Sequence, residues 1–391
     1  MFNLKNFSEI LKNKQDILKK GSVSEELFEK IKKALEEKRE KQLLLQQLNS
    51  LKKQHSSVSS EAQQIKEQRK ELKLKNTALE NILNELFYLV PCPASSESSS
   101  FETTEGRIIK TEIFKKRAGT FKYLGLSKQK YIVNAGIKRS TFYFFVPPFS
   151  KLQDLLISLL KKHLRRKKLI EITNCPLFLE KESFFSSGHL PKFEKNLYSV
   201  NTSFALIPTG ECALLHLLKV FPLNLNSKNY FFTETDCFRN EAGNRKDLKH
   251  LARVNQFKKV EVVCICSQDL FSEQAVLFEI LSFIEEILSF FEIDYRFREI
   301  HASDLPFSSA RTIDVEIFAP NSKKWLEVSS VSSTRTFQSQ RLFESKKLKE
   351  FFCYNGSVLA LPRLLCVLTE IYSNNKQEIL FKELEKKILS F

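Results

Sequence analysis

The apolar positions divide the chain into two textures. Over the first ninety residues they recur at helical spacing. Leu27, Ile31, Ala34, Leu35, Leu45 and Leu48 follow Ser24, a residue suited to cap a helix N-terminus. From Glu61 to about Tyr88, Ile65, Leu72, Leu79 and Leu86 recur every seven residues, with Gln68, Lys75, Ile82 and Leu89 between them. The polar stretch HSSVSS (55–60) separates the two runs. The pattern predicts an antiparallel helical hairpin over 24–88, with helices of about 28–31 residues and an arm roughly 40–45 Å long. Gln68 and Lys75 are polar and lie toward the tip, so the seam is expected to be weakest there. On pattern alone, a coiled coil that only dimerises or spaces stays open.

The texture then changes. Residues 91–106, PCPASSESSSFETTEG, carry two prolines, many serines and no periodicity, and read as a linker. From Arg107 onward, short apolar strands alternate with an amphipathic helix at about 150–167 and a long apolar helix near 273–291. The expected fold class is α+β with a largely antiparallel sheet. The expected domains are an N-terminal one over 1–90, the linker, and a second domain over 107–391. No internal repeat is visible.

Composition changes this picture only a little. The chain has 391 residues, 42% hydrophobic and 28% charged, as a globular protein has. A net charge of +16 favours a polyanionic partner. Lysine drift in an AT-rich genome also explains it, and 35 Phe beside one Trp fits that drift. Charge alone therefore does not choose a function. The eight cysteines are scattered through apolar stretches without a CxxC pair, so free thiols in a reducing compartment are expected rather than a disulfide framework or zinc. No apolar run has the length of a membrane span. The first twenty residues lack a long apolar core and include Glu9 and Asp16, so neither a secretory signal nor a presequence is expected, and the cytoplasm is the expected location.

Three segments combine charge with apolar strand context. In FRNEAGNRKDLKHLARVNQFKKVE (238–261), Arg239 offers a rigid fork of donors for a phosphate, Glu241 can accept from an exocyclic amine, and Phe257 can stack on a base. Arg253 could meet a terminal phosphate. In WLEVSSVSSTRTFQSQRL (325–342), Glu327 precedes Val328 and the hydroxyls of Ser329 and Ser330, a plausible Mg²⁺ set. In YNGSVLALPRLLCVLTEIY (354–372), Asn-Gly-Ser reads as a tight turn, and Pro362 and Arg363 open a helix whose N-terminus suits an anion. Taken singly, a solvated hairpin, a Ser-rich edge and a salt-bridged arginine explain the same residues. Together they describe a nucleoside triphosphate site without a P-loop, for the chain has no GxxxxGK[ST] segment.

At these residues the chain resembles the seryl-tRNA synthetases of class II. CFRNEAG…LARVNQFKKVE is similar to their motif 2, SSGHLPKF (186–193) to Gly-Thr-Gly-x-Leu-Pro-Lys-Phe, and IPTGECALL (207–215) to the Pro-Thr-Ala-Glu serine loop. EVSSVSSTRTFQSQR resembles the Glu-hydrophobic-Ser-Ser…Phe-Gln-x-Arg-Arg block, NGSVLALPR motif 3, and Pro176 in EITNCP the motif 1 proline at the dimer interface. The hairpin matches the family's tRNA-binding arm. The resemblance implies an antiparallel catalytic sheet with an N-terminal coiled-coil arm, a homodimer, and ligation of L-serine to tRNA(Ser) through seryl-adenylate, with tRNA(Sec) a further candidate substrate. ATP and Mg²⁺ are the implied cofactors. By position, Arg239 would bind the α-phosphate, Asn240 and Glu241 the nucleotide, and Phe257 the adenine ring. Arg253 and Arg363 would bind the distal phosphates. Glu327, with Val328, Ser329 and Ser330, would border the ATP, Glu327 and Ser330 holding Mg²⁺. Thr209, Gly210, Glu211, Arg239, Glu261, Asn355 and Ser357 would surround serine.

The chain also departs from the family. Gly210 stands for its alanine, Asn255 for the histidine before Gln-Phe, and Asn240 for a serine. Ser303 and Pro306 replace expected glycines, and Arg311 a lysine. The motif 2 tip and the arm are shorter than usual. The alternative to a ligase is a catalytically impaired paralogue that binds RNA or protein. The charged positions of the site argue against it, because all of them are filled.

Overall fold

The computed structural model describes residues 4–21, 23–54, 60–99, 104–114, 132–135, 142–240, 254–320, 323–372 and 380–391. It divides into two compact units, Met1–Pro93 and Ala94–Phe391.

The first unit is helical: α1 (Leu4–Lys12), α2 (Lys14–Leu18), α3 (Glu25–Gln54) and α4 (Ser60–Tyr88). α3 and α4 lie against each other along the arm. Its base is an apolar cluster of Phe7, Ile17, Phe28, Ile31, Leu35, Leu83, Phe87 and Val90. Leu72 and Leu79 are buried in the seam, but the interleaved row differs from the expected one. Arg69, Asn76, Leu83 and Val90 face inward, whereas Gln68 and Lys75 are exposed and Ile82 and Leu89 are 46% and 43% exposed. At 100° per residue, Leu83 lies 40° to one side of Leu79 and Ile82 lies 60° to the other. α1 and α2 cover the Leu83 side, with the rings of Phe7 and Phe87 edge to face at 6.1 Å. The tipward half of the seam is still polar, through other residues. Arg69 Nε, Asn76 Oδ1 and Asn49 Oδ1 are out of solvent without a hydrogen-bond partner, and each such group costs about 1–3 kcal/mol.

The second unit is built on strands β1 (Arg107–Glu112), β2 (Ile132–Asn134), β3 (Tyr143–Phe145), β4 (Ile170–Glu171), β5 (Phe178–Glu180), β6 (Phe204–Leu206), β7 (Asn229–Phe238), β8 (Gln256–Ser267), β9 (Tyr295–Glu299), β10 (Arg311–Ala319), β11 (Lys324–Arg335) and β12 (Phe351–Ala360). Its helices are α5 (Ser96–Ser99), α6 (Phe149–Arg166), α7 (Ser183–Ser187), α8 (Gly210–Leu218), α9 (Glu273–Phe290), α10 (Phe337–Leu342), α11 (Lys346–Lys349), α12 (Leu361–Ile371) and α13 (Phe381–Leu389). Eight of the described strands form one sheet in the order β1-β9-β10-β11-β12-β8-β7-β4. Every pairing in it is antiparallel except β4 with β7.

β8 is buried from Lys259 to Cys266 because both faces of the sheet are covered. Val260, Val262 and Cys264 join the large core with residues of α6, α9 and α12, while Val263 and Ile265 join Leu214, Leu215 and Leu218 of α8. This is the strand period of two. It puts Lys259 and Glu261, four and two residues before Val263, on the face that α8 covers.

One local expectation is corrected here. Asn355-Gly356-Ser357 is not a turn: it lies inside β12, with Asn355 opposite Ser332 and Ser357 opposite Glu261. Glycine at 356 answers to packing, since a Cβ there would come within 3.2 Å of Ile280 Cγ2 and of Val331 Cγ2 and press on both.

Candidate active site

The loop before α8 and the inner parts of β8, β11 and β12 enclose a cavity of about 180 Å³. That is below the roughly 300–1,000 Å³ of sites for drug-sized ligands and suits a small metabolite. Thr209, Glu211, Arg239, Glu261, Ser330, Asn355 and Ser357 line it together with Lys259, His189 and the 306–309 segment. Residues from Ser187 to Ser357 thus converge on one small volume.

Its floor is a buried polar network. Thr209 caps α8: its hydroxyl accepts from the Glu211 N–H at 3.4 Å and donates to Glu261 Oε2 at 2.8 Å. Lys259 Nζ lies 2.5 Å from the same Glu261 oxygen, and it donates to Thr209 Oγ1 at 2.8 Å and to Ser357 Oγ at 3.1 Å. Ser357 Oγ reaches Glu261 at 3.5 Å. The lysine and glutamate side chains are 6% and 3% exposed, so neither charge leans on bulk water. An ion pair this deep needs further hydrogen bonds, and the hydroxyls of Thr209 and Ser357 supply them to the lysine and to Glu261 Oε2.

Glu211, in the first turn of α8, is served differently. Its Oε1 accepts from the amides of Gln338 at 2.6 Å and Asn355 at 3.0 Å, and it makes no ion pair among the described residues. Burial, aided by the Glu261 charge, pushes its carboxyl up to about 7. Gly210 stands beside it for a packing reason. A Cβ at 210 would lie 3.0 Å from Thr233 Cγ2, 3.0 Å from Thr235 Oγ1 and 3.3 Å from Glu261 Cβ, so an alanine would require the threonines of β7 to give by a few tenths of an ångström.

Arg239 follows the end of β7. Its Nε donates to Pro208 O at 3.2 Å, and its guanidinium lies 5.3 Å from the Phe257 ring centroid. Asn255 fixes this end of the hairpin: its amide donates to Arg239 O at 2.9 Å and to Tyr198 OH at 2.8 Å, and its carbonyl accepts from Arg239 N–H at 2.9 Å. Asn240 is exposed and donates through Nδ2 to Lys195 O at 3.3 Å. Glu241 and Arg253 lie outside the described residues.

Arg363, at the N-terminus of α12, donates to Glu327 O and lies 3.5 Å from Glu327 Oε1. The side chain of Val328 is in the core, and the Ser329 hydroxyl donates to Ser357 O, so neither side chain is turned to a ligand. Ser330 faces the cavity from β11, opposite Asp314 of β10. Burial, then the Glu327 charge, pushes the Asp314 carboxyl up to about 7. A half-exposed carboxylate, a hydroxyl and a destabilised neighbouring carboxyl fit a hard cation that takes oxygen donors. No group of three or more His, Cys, Asp or Glu is placed to hold a metal among the described residues. The protein would therefore supply one or two donors, as suits an ion that keeps water and phosphate ligands.

Lys259 and His189 of the lining, and Gln338 behind Glu211, are among the residues that escaped the sequence reading as site residues. Lys259 carried a signal, because alternation puts it on the face of Glu261. Gln338 stood within a quoted block without a role. His189 also lines the cavity, its Nδ1 2.9 Å from Ser187 Oγ; burial and the charges of Arg239 and Lys259 pull it down to about 3, so it is neutral. Pro176 is outside this lining, in an exposed stretch with Leu177 and Phe178, which are 36% and 53% exposed. Ser303 and Pro306 need no glycine, since the left-handed non-glycine residues described are Lys168, Asn174, Glu292, Lys323 and Arg335.

Residues 192–372 match the family model of the tRNA synthetase class II core domain (G, H, P, S and T). In fold, the chain is similar to a seryl-tRNA synthetase from Pyrococcus horikoshii solved with ATP, at a TM-score of 0.87 and 20% identity over 100% of this chain and 98% of that one. A cytoplasmic serine–tRNA ligase from Naegleria fowleri solved with AMP gives 0.83 and 18%, over 99% of this chain and 95% of that one. Among curated proteins, the serine–tRNA ligases of Mycoplasma mycoides and Nautilia profundicola are 33% and 34% identical over 62% and 65% of this chain. Those alignments span 58% and 62% of the relatives' own length, about three-fifths. That of Mycoplasma mobile is 31% identical over 82% of this chain and 79% of its own length. The chain belongs to the serine–tRNA ligase family of class II aminoacyl-tRNA synthetases.

Proposed function

We propose that the protein activates L-serine with ATP and transfers it to the 3′ end of tRNA(Ser), with tRNA(Sec) as a further acceptor. The observation that carries this reading is the small cavity in which two buried carboxylates, one paired with a lysine and one not, face hydroxyls beside Arg239. The unpaired Glu211 suits an ammonium, and the Glu261–Thr209–Ser357 set suits a hydroxyl. Alanine would leave that set unpaired, and sites that hydrogen-bond a substrate hydroxyl reject the analogue lacking it by about 10⁴–10⁵.

Attack of the serine carboxylate on the α-phosphate, which breaks the α–β anhydride bond and releases pyrophosphate, needs no protein nucleophile. Arg239 would hold the α-phosphate and balance the charge that builds on it, a contribution of about 10²–10³ in rate for one such donor. Phe257 would stack on the adenine once the arginine has turned to the phosphate, with Asn240 and the Val328 and Ser329 backbone bordering the nucleotide. Arg363 would release Glu327 to meet the distal phosphates. Glu327 and Ser330 would hold Mg²⁺, which supplies charge neutralisation at the phosphates. Glu241 and Arg253 are assigned to adenine and distal phosphate by family position alone. The exposed Pro176–Phe178 stretch is the proposed face of a homodimer, and the arm the proposed site for tRNA. All eight cysteines are free thiols, which supports a cytoplasmic setting. No helix among the described residues is long and apolar enough to cross a membrane.

The test is charging of tRNA with labelled serine. The expected product is an ester released by mild base from tRNA(Ser), absent without ATP. Serine-independent ATP turnover, or label on no tRNA, would contradict the proposal.

A further inference from the structure

We infer that Lys259 sets the side-chain specificity of the pocket: as the resident counter-ion of Glu261, it leaves Glu211 as the one buried carboxylate open to a ligand cation, and so excludes amino acids with a second ammonium where serine has its hydroxyl. This rests on the reading of the cavity as a serine pocket.

The argument is a count of donors and charges. A lysine ammonium has three donors and no acceptor. Here all three are taken, by Glu261 Oε2 at 2.5 Å, Thr209 Oγ1 at 2.8 Å and Ser357 Oγ at 3.1 Å. The Thr209 hydroxyl in turn gives its proton to Glu261 at 2.8 Å. The long leg is Ser357 to Glu261 at 3.5 Å, and a ligand hydroxyl can take that place by donating to Glu261. A ligand ammonium there would stand against Lys259 in a site that water does not screen. Glu211 meets only the neutral amides of Gln338 and Asn355, so the α-ammonium has one seat, and it is on the other carboxylate. Lys259 thus makes two similar acids unequal and fixes which end of the amino acid each receives.

The probe is L-2,3-diaminopropionate, which is serine with its hydroxyl replaced by an ammonium. Binding of serine and of this analogue to the full chain is measured by calorimetry for the wild type and for Lys259→Met. The wild type is expected to bind serine and to bind the analogue at least about 100-fold more weakly, like charge against like charge. In Lys259→Met the analogue's ammonium fills the position of the missing lysine charge. Serine should weaken while the analogue tightens, closing the gap by about tenfold or more. A lysine that only held the fold would weaken both ligands alike, and that result overturns the inference. Should Lys259→Met fail to fold, the wild type still decides. The two neighbouring ammonium groups of the analogue repel each other, so raising the pH through neutrality removes one of its two positive charges and the analogue should gain on serine; a ratio that stays flat from pH 6 to pH 8 overturns the inference. If the wild type binds no serine, the parent reading fails. If it binds serine and the analogue equally at pH 7, only the role of Lys259 fails.

Discussion

The cavity in the sheet unit and the outer half of the α3–α4 seam both bury polar side chains, and they treat them in opposite ways. In the cavity, Lys259, Glu261, Thr209 and Ser357 close a network in which each group has partners within 3.5 Å. In the seam, Arg69 Nε and the Oδ1 atoms of Asn49 and Asn76 have none. A satisfied network is rigid and holds its groups ready for a ligand, at little cost in reorganisation. An unsatisfied seam costs stability where it lies and lets the two helices part more readily than the apolar base beneath it. The one region is built for positioning, and the other for give.

The prediction with the largest effect breaks the first half of that contrast. Arg239→Ala should lower serine-dependent pyrophosphate exchange by about 10²–10³ with an unchanged melting curve. Unchanged exchange would remove Arg239 from the site. Next, Gly356→Ala drives a methyl against Ile280 and Val331 at 3.2 Å, and overpacking of this kind costs about 1–3 kcal/mol in denaturant melts. A neutral result would mean that α9 is free to shift from the sheet.

A pH titration sharpens the account of Glu211, which faces Glu261, Lys259, Arg239 and the amides of Gln338 and Asn355. Burial and the Glu261 charge push its carboxyl up to about 7. Below that pH it is neutral and a poor seat for an ammonium, so the serine KM should fall several-fold between pH 6 and pH 8. The sign for stability is opposite. A carboxyl raised above its unfolded value favours the folded state at low pH, and that contribution is lost as pH rises through about 7. A KM indifferent to pH would assign the ammonium elsewhere. The smallest effect belongs to the seam. Asn76→Leu should stabilise the arm by about 1 kcal/mol in thermal melts, because it removes a buried amide oxygen without a hydrogen-bond partner; destabilisation would mean that Asn76 has a partner in solution.

How much of this was legible in the sequence follows from how local each signal is. The heptads from Ile65 to Leu86, the long apolar helix and the Pro362 helix start depend on neighbours in sequence, and all appear near their expected bounds. Choosing Ile82 and Leu89 over Leu83 and Val90 failed because α4 alone does not say which side of Leu79 will be covered; α1 and α2 decide it. Asn355-Gly356-Ser357 carries a turn signature, yet its glycine answers to Ile280 and Val331, which lie far away along the chain. The site residues stood out because charge in strand context is rare. Lys259 was passed over because a lysine beside another lysine reads as surface, and only the alternation with Glu261 and Val263 turns it inward. Gly210 and Asn255 looked like losses in the sequence. The threonines of β7 and the clamp on Arg239 give both a physical reason.

The measurement that tests the central claim most directly is ATP–pyrophosphate exchange by the purified chain with serine, threonine, alanine and glycine in turn, Mg²⁺ present. The account predicts exchange with serine, and alanine lower by several powers of ten because it leaves Glu261, Thr209 and Ser357 without a ligand hydroxyl. Equal exchange with alanine, or none with serine from a folded protein, would contradict it.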